Sequence, residues 1–156
     1  MKNVLIIMSA NSFYGAEQVL FDYLKNNHEH KFFIYTSDLV KNTIDSITDI
    51  EEVTVFSSDS MRVRSIRRKT MAALFYILRN LLAIHKIVRE NHIDVLYGNN
   101  TVDIVYVMLY RYFFRRDIGT ICHIHDIIQQ SMYHKMIRVF GKYIDAFITP
   151  SLAGKK

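Results

Sequence analysis

The feature that most constrains this chain is an unbroken apolar run, Val4-Leu5-Ile6-Ile7-Met8, which passes through a short polar loop (residues 9–15) into an amphipathic helix. Such a run of strand length reads as a strand buried on both faces. A Gly-containing turn into a helix reads as the first crossover of a parallel sheet. Ala16, Val19, Leu20, Tyr23 and Leu24 recur at helical spacing, which predicts that this side packs on the sheet. The helix then aims unpaired backbone N–H groups toward the carboxyl edge of the strand, where open α/β sheets take phosphates and other anions. The residues leave two readings of the loop open: a cradle for a phosphate or sugar nucleotide, and an ordinary strand-to-helix turn. One glycine stands in the loop, and neither G-x-G-x-x-G nor G-x-x-x-x-G-K-[ST] is present.

The same rhythm continues along the chain. Residues 31–36 (KFFIYT), 53–56, 93–97, 118–124 and 146–149 read as further strands, and residues 63–91, 101–114 and 129–143 as helices. Residues 41–50 are polar with scattered isoleucines and read as a short helix. This alternation predicts an α/β fold, a Rossmann-like doubly wound parallel sheet of about six strands with helices on both faces. A chain of 156 residues with one proline and five glycines has the length of one domain and no linker to divide it, so residues 1–156 are expected to form a single unit.

Charge narrows the partners. With half its residues hydrophobic and 22% charged, the chain is not disordered. A net charge of +5 favours anionic partners, such as phosphate esters, acidic lipids or nucleic acid. The single cysteine, Cys122, cannot close an internal disulfide and suits a reducing cytoplasm. The N-terminal apolar run is too short to act as a cleavable signal. Arg62, Arg64, Arg67, Arg68 and Lys69 form a dense cluster ahead of an apolar helix containing Met71, Leu74, Phe75, Ile77, Leu78, Leu81, Leu82 and Ile84. A cationic run beside such a helix can lie on an anionic bilayer, giving a peripheral location at the inner face of the membrane. It can also stay solvated while the apolar residues pack on the sheet. The helix is too interrupted to span a bilayer, and nothing beyond charge points to nucleic acid.

Ligands of open α/β sheets bind beyond the carboxyl ends of the strands. The residues expected there are Asn11 to Glu17, the 57–60 loop, Gly98 to Thr101, and His123 to Asp126. His125 just past a strand can serve as acid, base or donor to a hydroxyl, with Asp126 beside it. His123, His125 and Asp126 supply too few ligands for a metal site, so none is expected. No nucleophile signature is present, and no cofactor is implied.

These landmarks together resemble family 4 (GT4-type) glycosyltransferases. Tyr14-Gly15-Ala16-Glu17-Gln18-Val19-Leu20 is similar to the family's G-G-A-E-x-x-L stretch, with Tyr14 where the first glycine stands. Ile93 to Asn100 is similar to its D-I/V-V-H-x-H/N strand and loop, Cys122 to Asp126 to its x-T-x-H-D strand end, and Asp145 to Ser151 to its D-x-I/V-I-x-x-S strand. The resemblance implies the N-terminal, acceptor-side domain of a GT-B enzyme. Such an enzyme transfers sugar with retention from a nucleotide-sugar donor, here to a lipid-linked or polysaccharide acceptor. It assigns Tyr14, Gly15, Ala16 and Glu17 to the donor diphosphate, and His125 and Asp126 to the reacting sugar. Asn11, Ser12, Asn99, Asn100 and Thr101 fall to the acceptor side. The family's nucleotide-binding domain, with its E-x7-E signature, has no counterpart in these residues. The resemblance therefore implies a C-terminal domain or partner subunit that completes the site, and little activity without it. The alternative is a non-catalytic Rossmann-like module that recruits a partner or an anionic membrane through its basic helix.

Overall fold

The computed structural model describes residues 1–9, 15–47, 53–61, 70–124 and 131–149. Strand β1 (Asn3–Met8) leads into helix α1 (Gly15–Asn26), followed by β2 (Lys31–Thr36), α2 (Asp38–Ile47) and β3 (Val53–Ser57). A short 3-10 turn (Asp59–Met61) precedes α3 (Thr70–Glu90), β4 (Val95–Gly98), α4 (Thr101–Phe113) and β5 (Gly119–His123). Helix α5 (Ser131–Phe140), a second 3-10 turn and β6 (Ala146–Ile148) complete the order. The six strands form one sheet in the order β3-β2-β1-β4-β5-β6, and each neighbouring pair is parallel. The expected doubly wound sheet is present.

Alternation along the strands divides the core in two. Val4, Ile6, Met8, Phe32 and Ile34 meet Leu20, Phe21 and Leu24 of α1 and Val40 and Ile44 of α2. On the other face, Leu5, Ile7, Phe33, Leu96 and Cys122 meet Leu81, Ile84 and Val88 of α3 and Val107 and Tyr110 of α4. Continuous apolar strands are what a sheet covered on both faces requires.

Three expectations shift. Helix α1 buries Leu20, Phe21 and Leu24, whereas Val19 and Tyr23 stand 66% and 56% exposed. The buried stripe is thus rotated from the one the spacing predicts. The polar helix expected at residues 41–50 begins earlier, at Asp38. The fourth strand begins at Val95 rather than Ile93, because the Ile93 N–H closes α3 instead, donating to the Val88 carbonyl at 3.1 Å. His92 takes the left-handed conformation that this cap needs, at φ 49°, where glycine is the usual occupant.

Candidate functional site

The strand order reverses between β1 and β4, so the crevice of this fold opens where those two strands end. On the β1 side stand Ser9 and, at the start of α1, Gly15. Nothing among the described residues would meet a methyl group added at Gly15, at the N-terminus of α1. Glu17, in the first turn of α1, is buried and gives that turn a negative charge suited to its dipole.

On the β4 side, Asn100 caps α4. Its side-chain oxygen accepts the N–H groups of Val102 at 2.9 Å and Asp103 at 3.1 Å, as asparagine at an N-cap does. Its amide donates to the Ser9 carbonyl at 3.4 Å. Thr101 opens α4 beside it and is partly buried. Asp103, fully buried, turns across to β1, where its Oδ1 accepts the Ser9 N–H at 2.9 Å and the Ser9 hydroxyl. Among the described residues its Oδ2 has no partner, nor does either end of the Asn99 amide, although Asn99 is only 1% exposed. Burial pushes the Asp103 carboxyl up to about 7 against the pull of the Ser9 hydrogen bonds. Gly98 lets α4 approach this closely. A Cβ there would lie 3.3 Å from the Asp103 backbone and from the Val107 side chain.

A cavity of about 860 Å³ adjoins Asn99 on the α1 side of the sheet, lined by Val4, Ile6, Val95 and Ile121 among others. At the strand-end side of its wall, the Tyr97 hydroxyl and His123 Nδ1 share a hydrogen bond at 2.8 Å. Burial raises the Tyr97 hydroxyl to about 12, so it stays protonated and able to donate. Cys122 lies on the opposite face, completely buried, and burial raises its thiol far above the reactive range.

The structure therefore brings Asn99, Asn100 and Thr101 to the same edge as Gly15, Ala16 and Glu17. Asn11, Ser12, Tyr14, His125, Asp126, Arg62, Arg64, Arg67, Arg68 and Lys69 lie outside the described residues. Among the described residues no group of three His, Cys, Asp or Glu could hold a metal. Reading the sequence missed Asp103 and the part played by Ser9. The available signal was the spacing Asn100-x-x-Asp103, an acid three residues after a capping asparagine. Asp94 and Asp145, which open two of the resembling motifs, sit at the far edge. Asp94 accepts the Asn3 N–H at 2.9 Å and Asp145 the Thr120 N–H at 2.9 Å, so both pin strand starts.

No protein-family model matches the sequence, and no curated protein does. Solved structures do. Anabaena Alr3699/HepE, in complex with UDP and glucose, matches with a TM-score of 0.67 at 15% identity, over 99% of this chain and 40% of its own. MurG of Acinetobacter baumannii matches at 0.65 and 9% identity, over 97% of this chain and 42% of its own. The spinosyn rhamnosyltransferase SpnG, complexed with thymidine diphosphate, matches at 0.57 and 10% identity, over 96% and 45%. At these identities the likeness shows a shared fold, the six-stranded parallel sheet of the N-terminal half of GT-B proteins. The chain spans less than half the length of each of these neighbours.

Proposed function

We propose that this chain forms the acceptor-side half of a glycosyltransferase that uses a nucleotide-sugar donor. The observation that carries the reading lies at the edge where the strand order reverses. Among the described residues, nothing crowds Gly15 at the α1 N-terminus, and the buried polar atoms of Asn99 and Asp103 at the same edge have no partners. The fold shared with SpnG and HepE, seen with thymidine diphosphate and with UDP and glucose, supports the donor class.

In this reading the first-turn N–H groups of α1 at Gly15, Ala16 and Glu17 face the donor diphosphate. They stabilise the charge it gains as the sugar departs. Gly15 keeps that approach clear, and Tyr14 rims it. Asn99, Asn100 and Thr101, with Asn11 and Ser12, form the acceptor side, and the adjoining cavity gives a lipid-linked or polysaccharide acceptor room. His125 bonds the reacting sugar beside Asp126, and transfer proceeds with retention. A nucleotide-binding domain or partner subunit supplies the second wall, since one wall cannot hold donor and acceptor in line.

Amide NMR of the chain titrated with UDP-glucose, with uridine as a control lacking the diphosphate, tests this. Shifts are expected at Gly15, Ala16, Glu17 and Asn99 with UDP-glucose alone. Gly15→Val should abolish them while leaving the melting temperature unchanged, because no described residue packs against that position. No shifts at millimolar UDP-glucose would end the diphosphate assignment. In a pair reconstituted with a nucleotide-binding half, transfer that survives His125→Ala would remove His125 from the site.

A further inference from the structure

The cavity on the α1 side of the sheet follows from the topology. Helices α1 and α2 cover that face over β1 and β2, packing on Val4, Ile6, Phe32 and Ile34. The helices after β4 and β5 pack on the opposite face, where Val107 and Tyr110 of α4 are buried and Ile137 and Phe140 of α5 join them. Among the described residues, no helix after β4 enters the core on the α1 side. The space left there is the cavity of about 860 Å³.

Alternation along β4 turns Val95 and Tyr97 to this side and Leu96 to the other. Asn99, next in the same alternation, also lines the cavity. It is 1% exposed, and among the described residues neither its Nδ2 nor its Oδ1 has a partner. A buried carboxamide in that state is matched by a ligand that brings an acceptor and a donor to it together. The wall beyond Asn99 is of another kind. Ile6 and Ile121 flank Tyr97 in the strand register, so the apolar lining begins about 7 Å in from Asn99. Lys2 and His30 stand at the far end, by the strand starts.

We infer that the acceptor is a sugar bearing an acylamino group, whose amide meets Asn99 and whose alkyl part enters the cavity. The acyl carbonyl accepts from Asn99 Nδ2, and the sugar hydroxyl next to the acylamino group donates to Oδ1. The alkyl part lies against Ile6, Tyr97 and Ile121. A plain hexose can meet Asn99 with two hydroxyls, but it fills the apolar wall only by placing further hydroxyls there without partners. An acylamino sugar satisfies the amide and the wall with one substituent, which makes Asn99 a specificity-determining residue. The inference rests on the transferase reading for the sugar's role as acceptor, and on the cavity for the sugar's chemistry.

Amide NMR of the 156-residue chain, titrated with the methyl glycosides of N-acetylglucosamine, N-butanoylglucosamine and glucose, tests this. Shifts are expected at Asn99 and Ile121. The N-acetyl compound should bind about tenfold more tightly than the glucoside. The two further methylenes of the N-butanoyl compound should tighten binding about tenfold again. Asn99→Leu should bring the N-acetyl compound and the glucoside together. Ile121→Phe narrows the wall and should remove the gain from the longer acyl chain, a readout independent of Asn99; thermal melting checks the fold of both variants. Equal binding of the N-acetyl compound and the glucoside, no binding of any of the three, or a preference that survives Asn99→Leu would each overturn the inference. UDP-glucose added to the same samples separates it from the transferase reading. Donor shifts at Gly15 without any acylamino preference sink this inference alone. The preference without donor shifts upholds the acylamino site and removes the donor reading.

Discussion

Ser9 and Asp103 stand 94 residues apart in the chain, yet the Ser9 N–H donates to Asp103 Oδ1 at 2.9 Å and the Ser9 hydroxyl donates to the same oxygen. The contact ties the exit of β1 to the first turn of α4, across the point where the strand order reverses. An acid three residues after an N-cap ordinarily reaches back to its own helix. Here its Oδ1 also bonds Ser9 of another element, so the two sides of the crevice are held as one piece.

That carboxyl should make stability depend on pH. Its value in the folded chain, about 7, lies above the ordinary 3.8. The folded state therefore keeps a proton that the unfolded chain releases between those values. The contribution is full below about pH 4 and is lost as pH rises through about 7. At about 1.4 kcal/mol per pKa unit, the loss is at most about 4 kcal/mol. Asp103→Asn retains an acceptor for Ser9 but does not titrate. Urea denaturation at about pH 5 and about pH 8.5 should show a larger fall for the native chain than for the variant. Equal falls would mean that Asp103 does not hold the proton.

Asn99 should behave as a residue kept for binding rather than for folding. Burying an amide without partners costs about 1–3 kcal/mol. Asn99→Leu removes both unpartnered atoms at similar volume. The variant is expected to be as stable as the native chain, or more stable by about 1 kcal/mol, and to lose the response to UDP-glucose. Thermal melting and the NMR titration read the two effects separately. A destabilised variant that still responds would make Asn99 a structural residue.

The strands were legible because an apolar run such as Val4 to Met8 has nowhere to go but a sheet buried on both faces. The observed bounds of β2 coincide with the KFFIYT segment for the same reason. The orientation of α1 was less legible. Helical spacing groups Val19 and Tyr23 with Leu20 and Leu24, and all four line the cavity on the α1 side of the sheet, but only the two leucines are buried. Periodicity identifies apolar positions on a helix; it does not say which of them the sheet will cover. The strand start at Ile93 was hidden by the cap on α3. The Ser9–Asp103 tie was hidden more deeply, since it exists only because β1 and β4 are neighbours in the sheet.

Asn80 joins three elements in the core. Completely buried on α3, it accepts the Tyr35 hydroxyl of β2 at 3.1 Å and the Ser60 hydroxyl, and it donates to the Ser60 carbonyl at 3.1 Å and the Tyr106 hydroxyl of α4 at 2.9 Å. Asn80→Leu preserves volume but leaves buried hydroxyls without their partner. It should cost about 3 kcal/mol in urea denaturation. A loss below about 1 kcal/mol would mean that the three hydroxyls re-pair among themselves.

Arg111 of α4 clamps the opposite edge of the sheet. Its Nη1 lies 2.6 Å from Asp145 Oδ1 and donates to Thr120 Oγ1 at 2.8 Å and the Tyr143 carbonyl at 3.2 Å. Burial by itself would raise the Asp145 carboxyl, but Arg111 and Thr120 outweigh it and hold the group below its ordinary value. A depressed carboxylate contributes stability above its unfolded pKa and loses it as pH falls through the folded one. Because Asp145 is half exposed, solvent screens the pair. Arg111→Met should therefore cost only about 1–2 kcal/mol at neutral pH, and the gap to the native chain should narrow by about pH 3. Urea denaturation at both pH values checks this. A gap independent of pH would assign the effect to packing of the arginine's aliphatic stem rather than to its charge.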